Sequence, residues 1–310
     1  MRHHLTGRIL YAERSKIGCG RLRSRVIVVV ATRNIALVAL VTCLPVAVFA
    51  APARATPVAP AITHPQDDWA GSQIARYEGT ATPNAQNPQD LPVGPLAPVS
   101  MGDTAPAGFD VSHYQGAVDW PSAAAAGATF VYVKATESTN YVNPYFAQQY
   151  NGSYQAGLIR GAYHFATPDT SDGVTQANYF VNNGGGWSAD GRTLPPAIDL
   201  EYNPYGDTCY GMTPVALVAW VHAFADQVRV RTGRYPTIYT STRWWAMCMG
   251  NDASFGADPL WIARYNTVLG SLPPGWTAQA IWQFADAGAF PGDQDSFDGN
   301  VGQLHTLASG

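Results

Sequence analysis

Residues 195–204 read PPAIDLEYNP. Ala197, Ile198 and Leu200 form a short apolar run between a proline pair and an Asn-Pro turn, the outline of a buried strand. Asp199 and Glu201 stand two apart at its end. Side chains alternate across a strand, so both carboxylates point to the same side, roughly 6.5–7 Å apart at the backbone. Why two acids should share one side of a strand, where apolar chain meets loop, depends on the architecture around them.

Runs of similar length recur on either side. They are GFDVS (108–112), TFVYVKA (129–135), RGAYHFA (160–166), PTIYTS (236–241), PLWIAR (259–264) and AIWQFA (280–285). Helical stretches fill several gaps, at 143–157, 171–183 and 214–232. The last is the clearest. Thr213 suits the cap and Pro214 the first helical position, Leu217, Val221, Phe224 and Val228 share a face, and Gly233 stops it. Strand and helix in alternation imply parallel pairing with helices outside. The later strands follow with little helix between them. The fold class expected is α/β, a modified β/α (TIM-like) barrel with irregular final units; an open doubly wound sheet is the alternative. No glycine-rich loop follows the first strand, which speaks against nucleotide binding.

In a β/α barrel the carboxyl ends of the strands form the active face. Asp199 and Glu201 end one strand there and Asp110 another. The late segment PGDQDSFDGN (291–300) brings Asp293 and Asp295. Clustered carboxyls suit glycoside hydrolysis, which needs a protonated acid at the leaving oxygen and a second group near the sugar. Crowding and partial burial keep one acid protonated. A calcium or magnesium site is the competing use, but DQDSFDGN lacks the distal Glu of a calcium loop. Plain turn chemistry at strand ends is the blandest reading.

Other residues carry two readings each. Tyr163, Tyr239, Tyr265, Trp261 and Trp282 lie in or at the ends of strand runs, where rings stack on sugars or fill a core. Lys134 contacts substrate or pairs with Glu137. His164 reads as a satisfied core or rim histidine, with a catalytic base as the alternative. Ser112 and Ser241 lack the context of a serine nucleophile.

The chain has 310 residues, 46% hydrophobic and 13% charged, enough apolar material for a large core. Eight of its 18 basic residues fall in 1–50, ahead of and beside the apolar run IALVALVTCLPVAVFA from Ile35. Small residues follow. This is the order of a secretory signal, so 1–50 is expected to be a cleaved leader and the protein extracellular, with no stable membrane association afterwards. Residues 51–310 then hold 10 basic and 21 acidic groups, a net of −11. That excludes a basic nucleic-acid surface. Cys19 and Cys43 lie in the leader. Cys209 and Cys248 remain, a disulfide in an exported protein or else two buried thiols. Two cysteines without matching histidines make no zinc site, so no metal or cofactor is expected. Residues 51–106, rich in Ala and Pro, read as an arm or linker. Within them HPQDDWAGSQIARYEG (64–79) is an island whose Trp69, Ile74 and Tyr77 suit packing on the domain at 107–310. Nothing signals oligomerisation, and a monomer is expected.

GFDVSHYQGAVDW, YVKATES, GAYHF, AIDLEYNPYGDTCYG, YPTIYTSTRWW, PLWIARYN and IWQFADAGAFPGDQDSF, in that order through 108–310, together resemble glycoside hydrolase family 25, the lysozymes of N-acetylmuramidase type, and most nearly its secreted actinobacterial branch. The 64–79 island also resembles the arm before the domain in that branch. The resemblance implies a modified β/α barrel and cleavage of the β-1,4 bond from N-acetylmuramic acid to N-acetylglucosamine in bacterial peptidoglycan. It implies Glu201 as general acid, Asp199 as its partner toward the substrate acetamido group, and Asp110 and Asp293 as the remaining acids. Asp293 is taken over Asp295 and Asp298 because Phe297 then falls at the family's aromatic. Tyr163 and Trp282 are implied to line the cleft, and a Cys209–Cys248 disulfide matches the actinobacterial branch. Ser138 and Asp298 depart from the pattern. A non-catalytic wall-binding module and a chitinase-like glycosidase are the alternatives, although the long Asp-x-x-Asp-x-Asp-x-Glu run of chitinases is absent.

Overall fold

A computed structural model describes residues 61–80 and 105–310. The leader expected over 1–50, with Cys19 and Cys43, and the rest of the arm lie outside these residues. Each apolar run becomes a strand: β1 (Ala107–Val111), β2 (Phe130–Glu137), β4 (Ile159–Phe165), β5 (Ala197–Asp199), β6 (Thr237–Thr240), β7 (Leu260–Ala263) and β8 (Ile281–Ala285). A two-residue strand, β3 (Tyr141–Val142), folds back on the end of β2. β1, β2 and β4 to β8 run parallel, and β1 also pairs with β2.

The acidic segment at the end of the chain supplies the closing strand. β9 (Asp293–Phe297) inserts antiparallel between β8 and β1. The sheet is therefore a closed eight-stranded barrel, and the open doubly wound arrangement is excluded. Because β9 runs backwards, its first residue reaches the face where the other strands end. Asp293 lies opposite Asp110 in the register.

Among the described residues seven α-helices accompany the strands: α1 (Ser72–Glu78), α2 (Trp120–Ala125), α3 (Phe146–Gln155), α4 (Gly173–Asn182), α5 (Pro214–Thr232), α6 (Thr242–Cys248) and α7 (Val301–Ser309). α5 forms as its sequence predicts. The Thr213 side chain accepts from the Ala216 amide, Gly233 takes the left-handed conformation, and Leu217, Val221, Phe224 and Val228 are fully buried. The interior is filled rather than hollow. Tyr132 stacks on Trp261 at 4.7 Å, and its hydroxyl donates to the Pro195 carbonyl, which anchors the start of β5. His164 proves a core residue. Its ring nitrogens meet Thr136 and Gln176 at 2.8 and 2.9 Å, and burial lowers its pKa to about 3.

Cys209 and Cys248 form a disulfide that joins the loop after β5 to the end of α6. That loop carries Tyr210, whose hydroxyl donates to the carbonyls of Ala166 and Glu201. The crosslink thus holds a support beneath Glu201. Closing a loop of this length restricts the unfolded chain, so reduction is expected to lower stability by about 2–4 kcal/mol. Thermal melting with and without reductant checks it; identical curves would show that the bond contributes nothing.

Candidate active site

The face where the parallel strands end gathers the acids expected there. Asp110 from β1, Asp199 and Glu201 from the end of β5, and Asp293 from β9 are at most 3% exposed. Burial raises all four carboxyl pKa values, Glu201 to about 8 and Asp293 to about 10. Their mutual repulsion adds to this: Glu201 acts on Asp199, and Asp110 on Asp293. Among the described residues neither oxygen of Asp199 has a hydrogen-bond partner, nor does Oδ1 of Asp110. Asp295 points the same way along β9 as Asp293, but lies deeper, where the Trp261 indole donates to it at 2.8 Å. Asp298 is exposed. The antiparallel register places Asp293 directly opposite Asp110, while the Asp295 charge reaches Asp110 from one row below.

The remaining expected residues divide. Tyr163 and Tyr239 point into the bowl. The Tyr163 hydroxyl accepts from the Ala70 amide at 3.2 Å, and the Tyr239 hydroxyl donates to Gln283 at 2.6 Å. Lys134 pairs with Glu137 at 2.5 Å with both fully buried, and it also donates to the carbonyls of Asp68 and Pro65. Trp282, expected to line the cleft, does not. Alternation along β8 turns Ile281 and Gln283 inward and Trp282 outward, where it packs with Leu260, Ile262 and Leu269 and donates to the Arg264 carbonyl.

Gln283 is the residue that sequence reading passed over. Its amide nitrogen donates to Asp110 Oδ2 at 2.7 Å and to the Ala70 carbonyl at 3.0 Å, while its oxygen accepts from Tyr239 and Tyr265. It ties three strands and the arm to one point. The available signal was an amide at inward parity in the otherwise apolar IWQFA. Glu137 and Asp68 were likewise missed as a pair. The Tyr205 hydroxyl donates to both, and burial raises Glu137 to about 7 against the pull of Lys134.

The island at 64–79 docks on this same face. Amides of Gly71, Gln73 and Ile74 donate to the Glu201 carboxyl oxygens at 3.0, 2.8 and 2.8 Å, contacts that work against the burial that raises its pKa. Trp69 stacks on Tyr114 at 4.6 Å and Tyr77 on Tyr202 at 4.5 Å. Among the described residues no group of three or more His, Cys, Asp or Glu is placed to hold a metal, and no helix is long and apolar enough to cross a membrane.

A closed β/α barrel with buried, mutually repelling carboxyls at the carboxyl ends of its strands is the architecture of a barrel glycosidase. Comparison with known proteins agrees. Residues 109–293 match glycosyl hydrolases family 25, and the chain belongs to that family. It is 46% identical over 208 residues to the N,O-diacetylmuramidase of Chalaropsis sp, covering 66% of this chain and 99% of that one. It is 42% identical over 208 residues to lysozyme M1 of Streptomyces globisporus, covering 65% of this chain and 71% of that one. Among solved structures, a family GH25 lysozyme from Aspergillus fumigatus superposes with a TM-score of 0.66 at 47% identity, over 67% of this chain and all of that one. The chain is a glycoside hydrolase of the lysozyme family.

Proposed function

We propose that this protein is a secreted, monomeric N-acetylmuramidase. In this reading residues 1–50 direct export and are removed. The barrel at 107–310 hydrolyses the β-1,4 bond between N-acetylmuramic acid and N-acetylglucosamine in bacterial peptidoglycan. The observation that carries the reading is geometric: Glu201 and Asp199 stand as two fully buried, mutually repelling carboxyls at one strand end, the placing that a proton donor and its partner need. The names of the relatives, a muramidase and a lysozyme, supply the substrate class.

The chemistry follows from the two environments. Glu201 gives its proton to the departing glycosidic oxygen. The carbonyl oxygen of the substrate's 2-acetamido group attacks the anomeric carbon as that bond breaks. Asp199, whose oxygens have no partner among the described residues, accepts the acetamido N–H and steadies the positive charge. Water then attacks the anomeric carbon as its bond to the acetamido oxygen breaks, regenerating the acetamido group, and loses its proton to Glu201, which restores the acid and retains configuration. An inverting route needs an ionised base across the sugar. Asp110 or Asp293 would activate water in that route, and the anomer formed first distinguishes the two schemes.

Digestion of purified peptidoglycan with reducing-end analysis by mass spectrometry tests the reading, with the arm at 64–79 removed. Muramic acid reducing ends are the expected product. Glucosamine ends would make the enzyme a glucosaminidase, and wall binding without release would leave a binding module. Proton NMR of the first-formed anomer is expected to show β; initial α would sink the retaining scheme.

A further inference from the structure

The cleft is already occupied, by this chain's own arm. Ala70 is fully buried, Asp68 and Ile74 are 1% exposed, and Glu201 and Asp199 beneath them are fully enclosed. The arm meets the site residues one after another. Lys134 holds the Asp68 carbonyl at 2.6 Å, Gln283 holds the Ala70 carbonyl at 3.0 Å, and Tyr163 receives the Ala70 amide. Both Glu201 oxygens are taken by arm amides. At the far end Glu78 accepts from the hydroxyls of Tyr202 and Ser241. An acid that must reach a glycosidic oxygen cannot do so through this backbone, and a sugar cannot enter the space it fills.

The fit is specific. Gly71 has φ +101°, and a Cβ built there would meet the Tyr265 hydroxyl at 1.9 Å and oxygens of Asp293 and Gln283 at 2.9 Å. Only glycine passes between the arm's peptide plane and the floor of the site. The contacts are also ones a linker or decoration would not need: backbone groups aimed at the proposed acid, and a glycine where any side chain would collide.

We propose that residues 64–79 are a built-in inhibitor, and that the chain is made as an inactive precursor whose cleft opens when proteolysis between 80 and 105 separates arm from barrel. This rests on the muramidase reading of the site. The joining stretch, 81–104, is 24 residues long. Covalent linkage makes docking of the arm intramolecular, which favours the closed form by about 10²–10⁴-fold over the same arm in trans.

The test uses the whole exported chain with a recognition sequence for a site-specific protease inserted in 81–104. Turnover on peptidoglycan is measured intact, and again after cutting and removal of the arm by size exclusion. The cut enzyme is expected to exceed the intact one by about 100-fold. Gly71→Ala in the uncut chain is expected to recover most of that gain while leaving the cut, arm-depleted enzyme unchanged, since the substitution leaves with the arm. A synthetic peptide of residues 64–79 added back should inhibit, and its Gly71→Ala version should not. Equal turnover of intact and cut enzyme overturns the inhibitor. If neither form releases reducing ends, the muramidase reading fails, and peptide titration into the arm-depleted barrel decides the inhibitor separately. Tight, Gly71-dependent binding that displaces the barrel from peptidoglycan upholds it; no binding overturns it.

Discussion

Replacing Glu201 with Gln in the arm-depleted enzyme is expected to lower turnover on peptidoglycan by about 10²–10⁴-fold while leaving the barrel folded, the range for loss of a general acid. Gln keeps the size of the side chain and one acceptor oxygen but has no proton of suitable acidity to give. In the intact chain burial raises the native carboxyl to about 8, where an ordinary Glu would already be ionised, against the three arm amides that favour its charged form. The loss should appear in kcat and in kcat/KM alike, because the interaction exists only as the leaving oxygen gains charge. Thermal melting of the variant separates lost chemistry from lost structure. An unchanged rate would remove Glu201 from the role.

The intact chain offers a second readout of the same substitution. One Glu201 oxygen takes two arm amides and the other takes one. With Gln the side-chain NH₂ must face an arm N–H at one of these places, two donors without an acceptor. Glu201→Gln is therefore expected to loosen the arm as well, seen as faster exchange at the Gly71, Gln73 and Ile74 amides.

The barrel was legible because its parallel strands are written as apolar runs spaced by helices, and α5 carries both of its own end signals. β9 was harder. DQDSF has two acids and little apolar content, and it reads as a loop until one knows that its inward positions face a polar bowl. That also explains why Asp293 could be chosen over Asp295 from sequence only by the place of Phe297. The antiparallel direction, which sets Asp293 opposite Asp110, appears only when the barrel closes. Trp282 failed for a simpler reason. A strand in a closed barrel buries both faces, so an aromatic at one position says nothing of inside or outside, and parity assigns Gln283 to the bowl instead. The island at 64–79 showed by Trp69, Ile74 and Tyr77 that it would pack. Its target was invisible, because the arm meets Glu201 through backbone amides that every residue but proline possesses.

Rising pH is expected to destabilise the intact chain across the neutral range. Glu201, Asp293 and Glu137 have folded pKa values raised to about 8, 10 and 7, all first by burial, and burial likewise lifts Asp110, Asp199 and Asp295. A raised carboxyl binds its proton in the folded chain after the unfolded chain has released it. Its contribution is complete below the unfolded value near 4 and is lost as pH climbs through the folded value. Asp172, held below its ordinary value by hydrogen bonds from Thr175, acts in the opposite sense, but only in more acid solution. Melting temperature should therefore fall steadily from pH 5 to pH 9, with Glu201→Gln and Asp293→Asn each flattening the slope; a flat or rising profile would show that these carboxyls are hydrated and ordinary. The arm makes the slope diagnostic. It encloses Glu201 and brings Asp68 toward it, while Asp199, Asp110 and Asp293 press from the barrel. Removing the arm rehydrates Glu201 and takes Asp68 away, so the cut and depleted enzyme should show the shallower pH dependence of the two.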